Sequence, residues 1–356
     1  SRPYQYASGE LSDFWAGDED FDGLKQTQYV GGYEGRYEFK EVFALRQNFR
    51  YGTVETENQY LLSSLNADGH TLSRSTYGVY EDMDNLAVDT AGEARFTTGE
   101  VRHTAMIGMD YNKIDAAVEY AFGSAPSIDM NNPDYHQDID RPGTILVDQN
   151  IDAYQLGFYA QEQMSWRNWR FNAGLRHDRA EKETTNNLTG GVTDGSNSAT
   201  SGSAGLLYLF DSGFAPYASY ATSFTPDFGT DADGESFEPT EGEQYEIGLK
   251  YQPPGRDSIY TVSVYDLVET NVKTRDPNNV ANSIQTGEQR SRGIEVEAAM
   301  KLDDNIDLVA GYSYIDAEIT KSNDGDEGNG PIGVAAHMAS VWGNYSCTAG
   351  QLDGLE

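Results

Sequence analysis

Few side chains in this sequence are set out for chemistry. The five histidines, His70, His103, His136, His177 and His337, are scattered, and no two stand at helical metal-ligand spacing. There is no glycine-rich phosphate loop and no nucleophile elbow. Carboxylates are abundant, but they fall in loops and on strand faces, where solvation accounts for them. Asp18-Glu-Asp-Phe-Asp-Gly23 matches the first half of a calcium loop, with oxygens at alternate positions and glycine at the turn. Its twelfth position is Tyr29 rather than Glu, and no helix pattern flanks it, so an acidic loop is the better reading. Cys347 is the single cysteine, which excludes a disulfide within the chain, and it reads as a buried or stray thiol. The expectation is a protein that is not an enzyme and holds no resident cofactor or metal.

The chain has 356 residues with 58 Asp and Glu against 24 Lys and Arg, a net charge of −34. Nucleic acid is excluded as a partner, because phosphate contacts need clustered cations. The same field favours neutral or cationic ligands over anionic ones. No run of apolar residues is long enough for a transmembrane helix, and no signal peptide is visible. Mean hydropathy is −0.63. That value is compatible with a membrane barrel, whose strands expose apolar groups at alternate positions only.

Strands must position whatever this chain binds. In Arg292-Gly-Ile-Glu-Val-Glu-Ala298, Ile294, Val296 and Ala298 point one way while Glu295 and Glu297 point the other. A period of two is a strand. Phe43, Leu45, Gln47, Phe49 and Tyr51 share a face in the same way, as do Tyr154, Leu156, Phe158 and Ala160. Short turns at Lys40-Glu41, Thr97–Glu100, Trp166–Trp169, Asp211–Gly213, Pro253–Asp257 and Asp303–Asn305 alternate with long polar stretches. The stretches include residues 121–150, with Pro126, Pro133 and Pro142, and the Gly/Ser/Thr/Asn-rich segment 186–203, read as a mobile loop. About a dozen strands result. Short turns on one side and long loops on the other predict an all-β, antiparallel transmembrane barrel.

The C-terminal half carries a specific series. It runs Glu238-Pro-Thr-Glu-Gly-Glu-Gln-Tyr-Glu-Ile-Gly-Leu-Lys-Tyr251, Gln289-Arg-Ser-Arg-Gly-Ile-Glu-Val-Glu297, Tyr312-Ser-Tyr-Ile-Asp-Ala317 and His337-Met-Ala-Ser-Val-Trp-Gly-Asn-Tyr345. Upstream stand Phe43-Ala-Leu-Arg-Gln-Asn-Phe-Arg50 and Phe158-Tyr-Ala-Gln-Glu-Gln163. The order and spacing resemble the barrel of TonB-dependent siderophore receptors, nearest to the ferrichrome-iron branch, from about Lys25 onward. In Tyr245–Tyr251 the face Tyr245, Ile247, Leu249, Tyr251 is expected to meet lipid, with Glu246 and Lys250 facing the lumen. Arg290 and Arg292 are expected to pair with lumen acids such as Glu295.

The resemblance implies a 22-stranded barrel closed by a plug. Residues 1–356 then form one barrel domain, short of the plug and the last strands, and neither close nor transport alone. It implies active import of a ferric siderophore, expected to be of hydroxamate type, with the TonB complex pulling on the plug. Outer-membrane lipid and lipopolysaccharide are the implied surroundings, the protein is expected to be a monomer, and the bacterial outer membrane is the implied location. Ligand contact falls on aromatic side chains, which offer area with a polar tip. Phe122, in Tyr120-Ala-Phe-Gly123, stands where the likeness places a loop aromatic that touches ligand, and Tyr120, Tyr60 and Tyr135 are the further candidates. Girdle or loop packing is the alternative for each. A passive porin-like channel, a receptor of the same type for cobalamin, haem or another metal chelate, and an adhesin barrel remain open.

Overall fold

The computed structural model describes residues 14–303 and 305–346; Cys347 and the polar stretch 1–13 lie outside them. The described residues form thirteen strands in one sheet. They are β1 (Gly23–Phe39), β2 (Phe43–Leu65), β3 (Thr71–Thr98), β4 (Val101–Asp129), β5 (Thr144–Trp166), β6 (Trp169–Asn186) and β7 (Gly191–Tyr208). The series continues with β8 (Phe214–Thr225), β9 (Thr240–Tyr251), β10 (Ile259–Asp276), β11 (Asn279–Lys301), β12 (Ile306–Lys321) and β13 (His337–Tyr345). Each pairs with its neighbours in chain order, and every pairing is antiparallel. Among the described residues β1 pairs only with β2 and β13 only with β12, so the sheet is open.

Register fixes two faces. Phe43, Leu45, Phe49 and Tyr51 on β2 lie opposite Ala94, Gly92, Val88 and Leu86 on β3. The row continues through Ile107 and Met109 on β4, Leu156 and Phe158 on β5, and Phe171 and Leu175 on β6. Tyr245, Ile247 and Leu249 on β9 belong to it and stand exposed, 58%, 61% and 42%. A single sheet that turns this many large apolar side chains outward has lipid, not water, as their solvent. Aromatic pairs mark both borders. Near the short turns are Trp169–Tyr208, Tyr208–Phe210 and Phe214–Tyr251, with centroids 4.7, 4.7 and 4.3 Å apart. Near the far border are Tyr33–Phe49, Tyr111–Tyr154 and Tyr220–Tyr245, at 5.6, 6.1 and 4.9 Å. On β5 the borders are Tyr154 and Trp166. That length at about 3.3 Å per residue and a tilt of about 40° spans roughly 30 Å, a bilayer's hydrocarbon core.

The opposite face lines the lumen and is polar. Arg176 on β6 grips two carboxylates, Asp110 through Nη2 at 2.9 Å and Asp178 through Nε at 2.7 Å. Asp178 is fully buried and also accepts from Gln155 Nε2 at 2.8 Å. Nearer the short turns Glu93 is held by Arg36, Arg95 and Arg46.

Several expectations are corrected. The stretch 186–203 is strand rather than loop: Gly191–Tyr208 is β7, paired along its length with β6. Its small polar residues accept strand geometry because β6 offers a complete row of donors and acceptors. Likewise β2 runs on to Leu65 through a polar stretch that reads as loop from about Thr56, and Pro126 lies inside β4, at a bulge opposite Leu72 and Arg74 where no ladder N–H is required. The far side is therefore built of strand extensions, and some connections there are as tight as Pro277–Asn278. Arg290 and Arg292 do not meet Glu295, which faces the other way. Both pair with Asp266 on the outward face, with Arg290 Nε at 2.8 Å and Arg292 Nε at 3.3 Å.

At the far end a cover packs behind β2–β4. Residues 14–22 and the connection 130–143 lie on the face that carries Leu72, Arg74, Thr76 and Gly78. Arg74, 4% exposed, donates to the carbonyls of Pro126, Ala16 and Gly17 and to Gln137 Oε1. Asp18, fully buried, accepts from the N–H groups of Asp20 and Gln137, at 3.1 and 3.0 Å. Burial pushes the Asp22 carboxyl above the usual range, while the Leu61 N–H bonded to it at 3.0 Å pulls back. At the rim His136 Nδ1 meets Asp20 at 3.0 Å, and this bond, with Glu19 nearby, raises its pKa.

Two predictions follow from this scaffold. Arg176→Ala in the intact receptor leaves Asp178 buried without a cation and is expected to cost about 3 kcal/mol, the low end for such a loss because lumen water reaches Arg176. Urea titration in lipid vesicles reads this, and a loss below about 1 kcal/mol would contradict it. Because the His136 pKa is raised in the fold, its contact strengthens the cover below the ordinary histidine value and fades as pH rises through the raised one. Amides 14–22, corrected for intrinsic rates, should exchange more slowly at about pH 5.5 than at about pH 8.5. His136→Ala should remove that difference; an unchanged difference counts against the contact.

Candidate functional site

The far ends of β2, β3 and β4 carry a row of rings on the lumen face. Tyr60 on β2 lies directly opposite Tyr77 on β3, and Tyr77 lies opposite Phe122 on β4. Directly opposed strand residues place their side chains close enough to touch. The Tyr60 and Tyr77 centroids are 5.3 Å apart with planes tilted 43°, and Tyr77 and Tyr120 are 6.3 Å apart at 44°. Tilted pairs of this kind add about 0.5–1.5 kcal/mol each beyond the area they bury. Phe122 is 37% exposed and Leu62, on the same face of β2, is 45% exposed. The row thus presents a broad apolar surface edged with hydroxyls.

One acid stands at its edge. Glu81 shares the lumen face of β3 with Tyr77, and Tyr120 Oη donates to its Oε1 at 3.4 Å. Val79 and Val118 lie on the same face beside them. Towards the short turns the curved sheet leaves a concavity of about 620 Å³ lined by Gly32, Asn48, Arg50, Ala87, Asp89 and Asp110. Pockets of this size hold small-molecule ligands.

The wall is braced from behind. Pro142 sits against Gly78 and Gly123, so closely that a Cβ at Gly78 would stand 2.9 Å from Pro142 Cγ and one at Gly123 3.2 Å from its Cα. The Arg141 guanidinium lies 3.8 Å from the Tyr80 ring centre. Glycine at both positions lets the connection lie flat on the strands.

Of the four sequence candidates, Tyr60, Tyr120 and Phe122 come together in this row. Tyr135 does not. It stacks on Trp15 at 5.3 Å and lies tilted against Phe14 at 6.2 Å, in the cover on the opposite face. Sequence reasoning missed Tyr77, the centre of the row, and Glu81. Only strand register could have found them, because each is defined by what lies across from it. The wall offers ring faces, phenol hydroxyls and one carboxylate, a set suited to holding a ligand.

Three comparisons with known proteins agree on what this sheet is. The family model "TonB dependent receptor-like, beta-barrel" matches residues 2–355. The ferrioxamine B receptor of Salmonella typhimurium is 35% identical over 362 residues, covering 99% of this chain and 51% of that protein. The ferrichrome outer membrane transporter/phage receptor of Escherichia coli is 34% identical over 369 residues, 94% of this chain and 49% of that protein. The chain spans about half the length of these relatives. The crystal structure of the siderophore receptor PiuA from Acinetobacter baumannii superposes with a TM-score of 0.84 at 18% identity, covering 97% of this chain and 57% of that one. The chain belongs to the TonB-dependent receptor family, of which it is β-barrel sequence.

Proposed function

We propose that this receptor imports a ferric siderophore of the hydroxamate type across a bacterial outer membrane. The row Tyr60–Tyr77–Tyr120–Phe122 carries the reading. Ferric hydroxamates present an uncharged, partly apolar shell, and tilted rings with hydroxyl tips match it. The ferrioxamine and ferrichrome relatives support the same ligand class. On this reading the outward apolar belt meets lipid and lipopolysaccharide, and further residues of the full protein close the barrel and supply a plug. The TonB complex acts on that plug, the receptor works as a monomer, and iron is cargo rather than a resident cofactor.

Binding to the intact receptor tests the proposal. A ferric trihydroxamate is expected to bind more tightly than an anionic ferric catecholate, since the chain carries a net charge of −34. Tyr77→Ala and Phe122→Ala should each weaken hydroxamate binding by about tenfold, as expected where a buried aromatic contact is lost. Tighter catecholate binding, or full affinity in both variants, would refute the reading.

A further inference from the structure

We infer that Glu81, with the Tyr120 and Tyr77 rings, forms a subsite for a primary ammonium group carried by the ligand. The inference rests on the import reading above and narrows it to cationic ligands. Its first support is the pairing of charges on the lumen face. Asp110 and Asp178 are held by Arg176, and Glu93 by three arginines. Among the described residues no Lys, Arg or His pairs with Glu81; its partner is the neutral Tyr120 hydroxyl, at a long 3.4 Å. A half-buried carboxylate in that state gains from a cation more than it gains from the phenol.

The second support is what surrounds it. Tyr120 and Tyr77, 6.3 Å apart, stand on the same face of the sheet as Glu81, and aromatic ring faces attract ammonium groups. Val79, between Tyr77 and Glu81 on β3, and Val118, directly opposite Glu81 on β4, are both half-buried and offer an apolar track for an alkyl stem. Other lumen acids such as Asp89 and Glu246 also take a phenol hydroxyl, from Tyr159 and Tyr217, but they stand away from the ring row. At Glu81 a carboxylate that pairs with no cation among the described residues and the aromatic surface coincide. A ligand whose iron-bearing shell rests on Tyr60, Tyr77 and Phe122 can extend an aminoalkyl arm past Val79 to Glu81.

The test compares two probes on the intact receptor in detergent or lipid. One is ferrioxamine B, a linear ferric trihydroxamate with one free primary amine; the other is the same chelate with that amine acetylated. Wild-type receptor is expected to prefer the amine form by about tenfold, the effect of one charge-assisted contact. The preference should shrink as salt is raised. Glu81→Gln, which keeps shape and removes charge, should bring the ratio near one. Equal binding of the two chelates by wild type, or an undiminished ratio in Glu81→Gln, overturns the subsite and leaves the import reading standing. If neither chelate binds wild type, both fall. Should Glu81→Gln fail to assemble, the wild-type ratio and its salt dependence still decide.

Discussion

Backbone hydrogen bonding is the constraint on which everything else here depends. A strand in lipid has no water to satisfy its N–H and C=O groups, and each one left bare costs several kcal/mol. Strands β2 to β12 meet this by pairing on both sides in strict chain order, and β1 and β13 pair on one side among the described residues. The pairing then dictates side-chain geography. Because the period is two, any residue that pairs along a ladder commits its neighbours to the opposite face. The outward belt and the lumen wall are two readings of one register.

That register explains how a chain so acidic and so polar on average presents a continuous apolar surface. Alternate positions carry the belt, and the positions between them carry Arg176, Asp110, Asp178 and Glu93. It also explains why the ring row is a row. Tyr60, Tyr77 and Phe122 are far apart in sequence, yet two ladders set them side by side. The cover behind them, anchored by Arg74 and Asp18, holds the far ends of these strands in place. A rigid backing matters for recognition, since a wall already in place loses little freedom when a ligand docks.

Much of this was legible in the residues alone. Tyr245, Ile247, Leu249 and Tyr251 declared their face because alternation is local information. The tight turn at Lys40 and Glu41 was legible too, and both residues take positive φ there, 52° and 58°. What failed was information held by partners. The segment 186–203 reads as a loop by composition, but β6 supplies a template that overrides intrinsic preference. By charge alone Arg290 and Arg292 suit lumen acids such as Glu295, but even and odd residues of a strand face opposite ways; Asp266 becomes visible only through the β10–β11 register. Tyr135 is a sequence candidate on the same footing as Tyr60, and the fold of the cover sets it on the other side of the wall.

If this register holds, one face of these strands meets lipid and the other is free to take the proposed ligand. Spin labels placed singly from Ala105 to Phe122 along β4 of the intact receptor in lipid vesicles, with Cys347 replaced by serine, test it most directly. From 105 to 111 the odd positions should be reached by oxygen and the even ones by a water-soluble relaxation agent. Adding ferrioxamine B should shield positions 120 and 122 from that agent. Accessibility without alternation, or no shielding at 120 and 122 under conditions where the chelate is bound, would contradict the account.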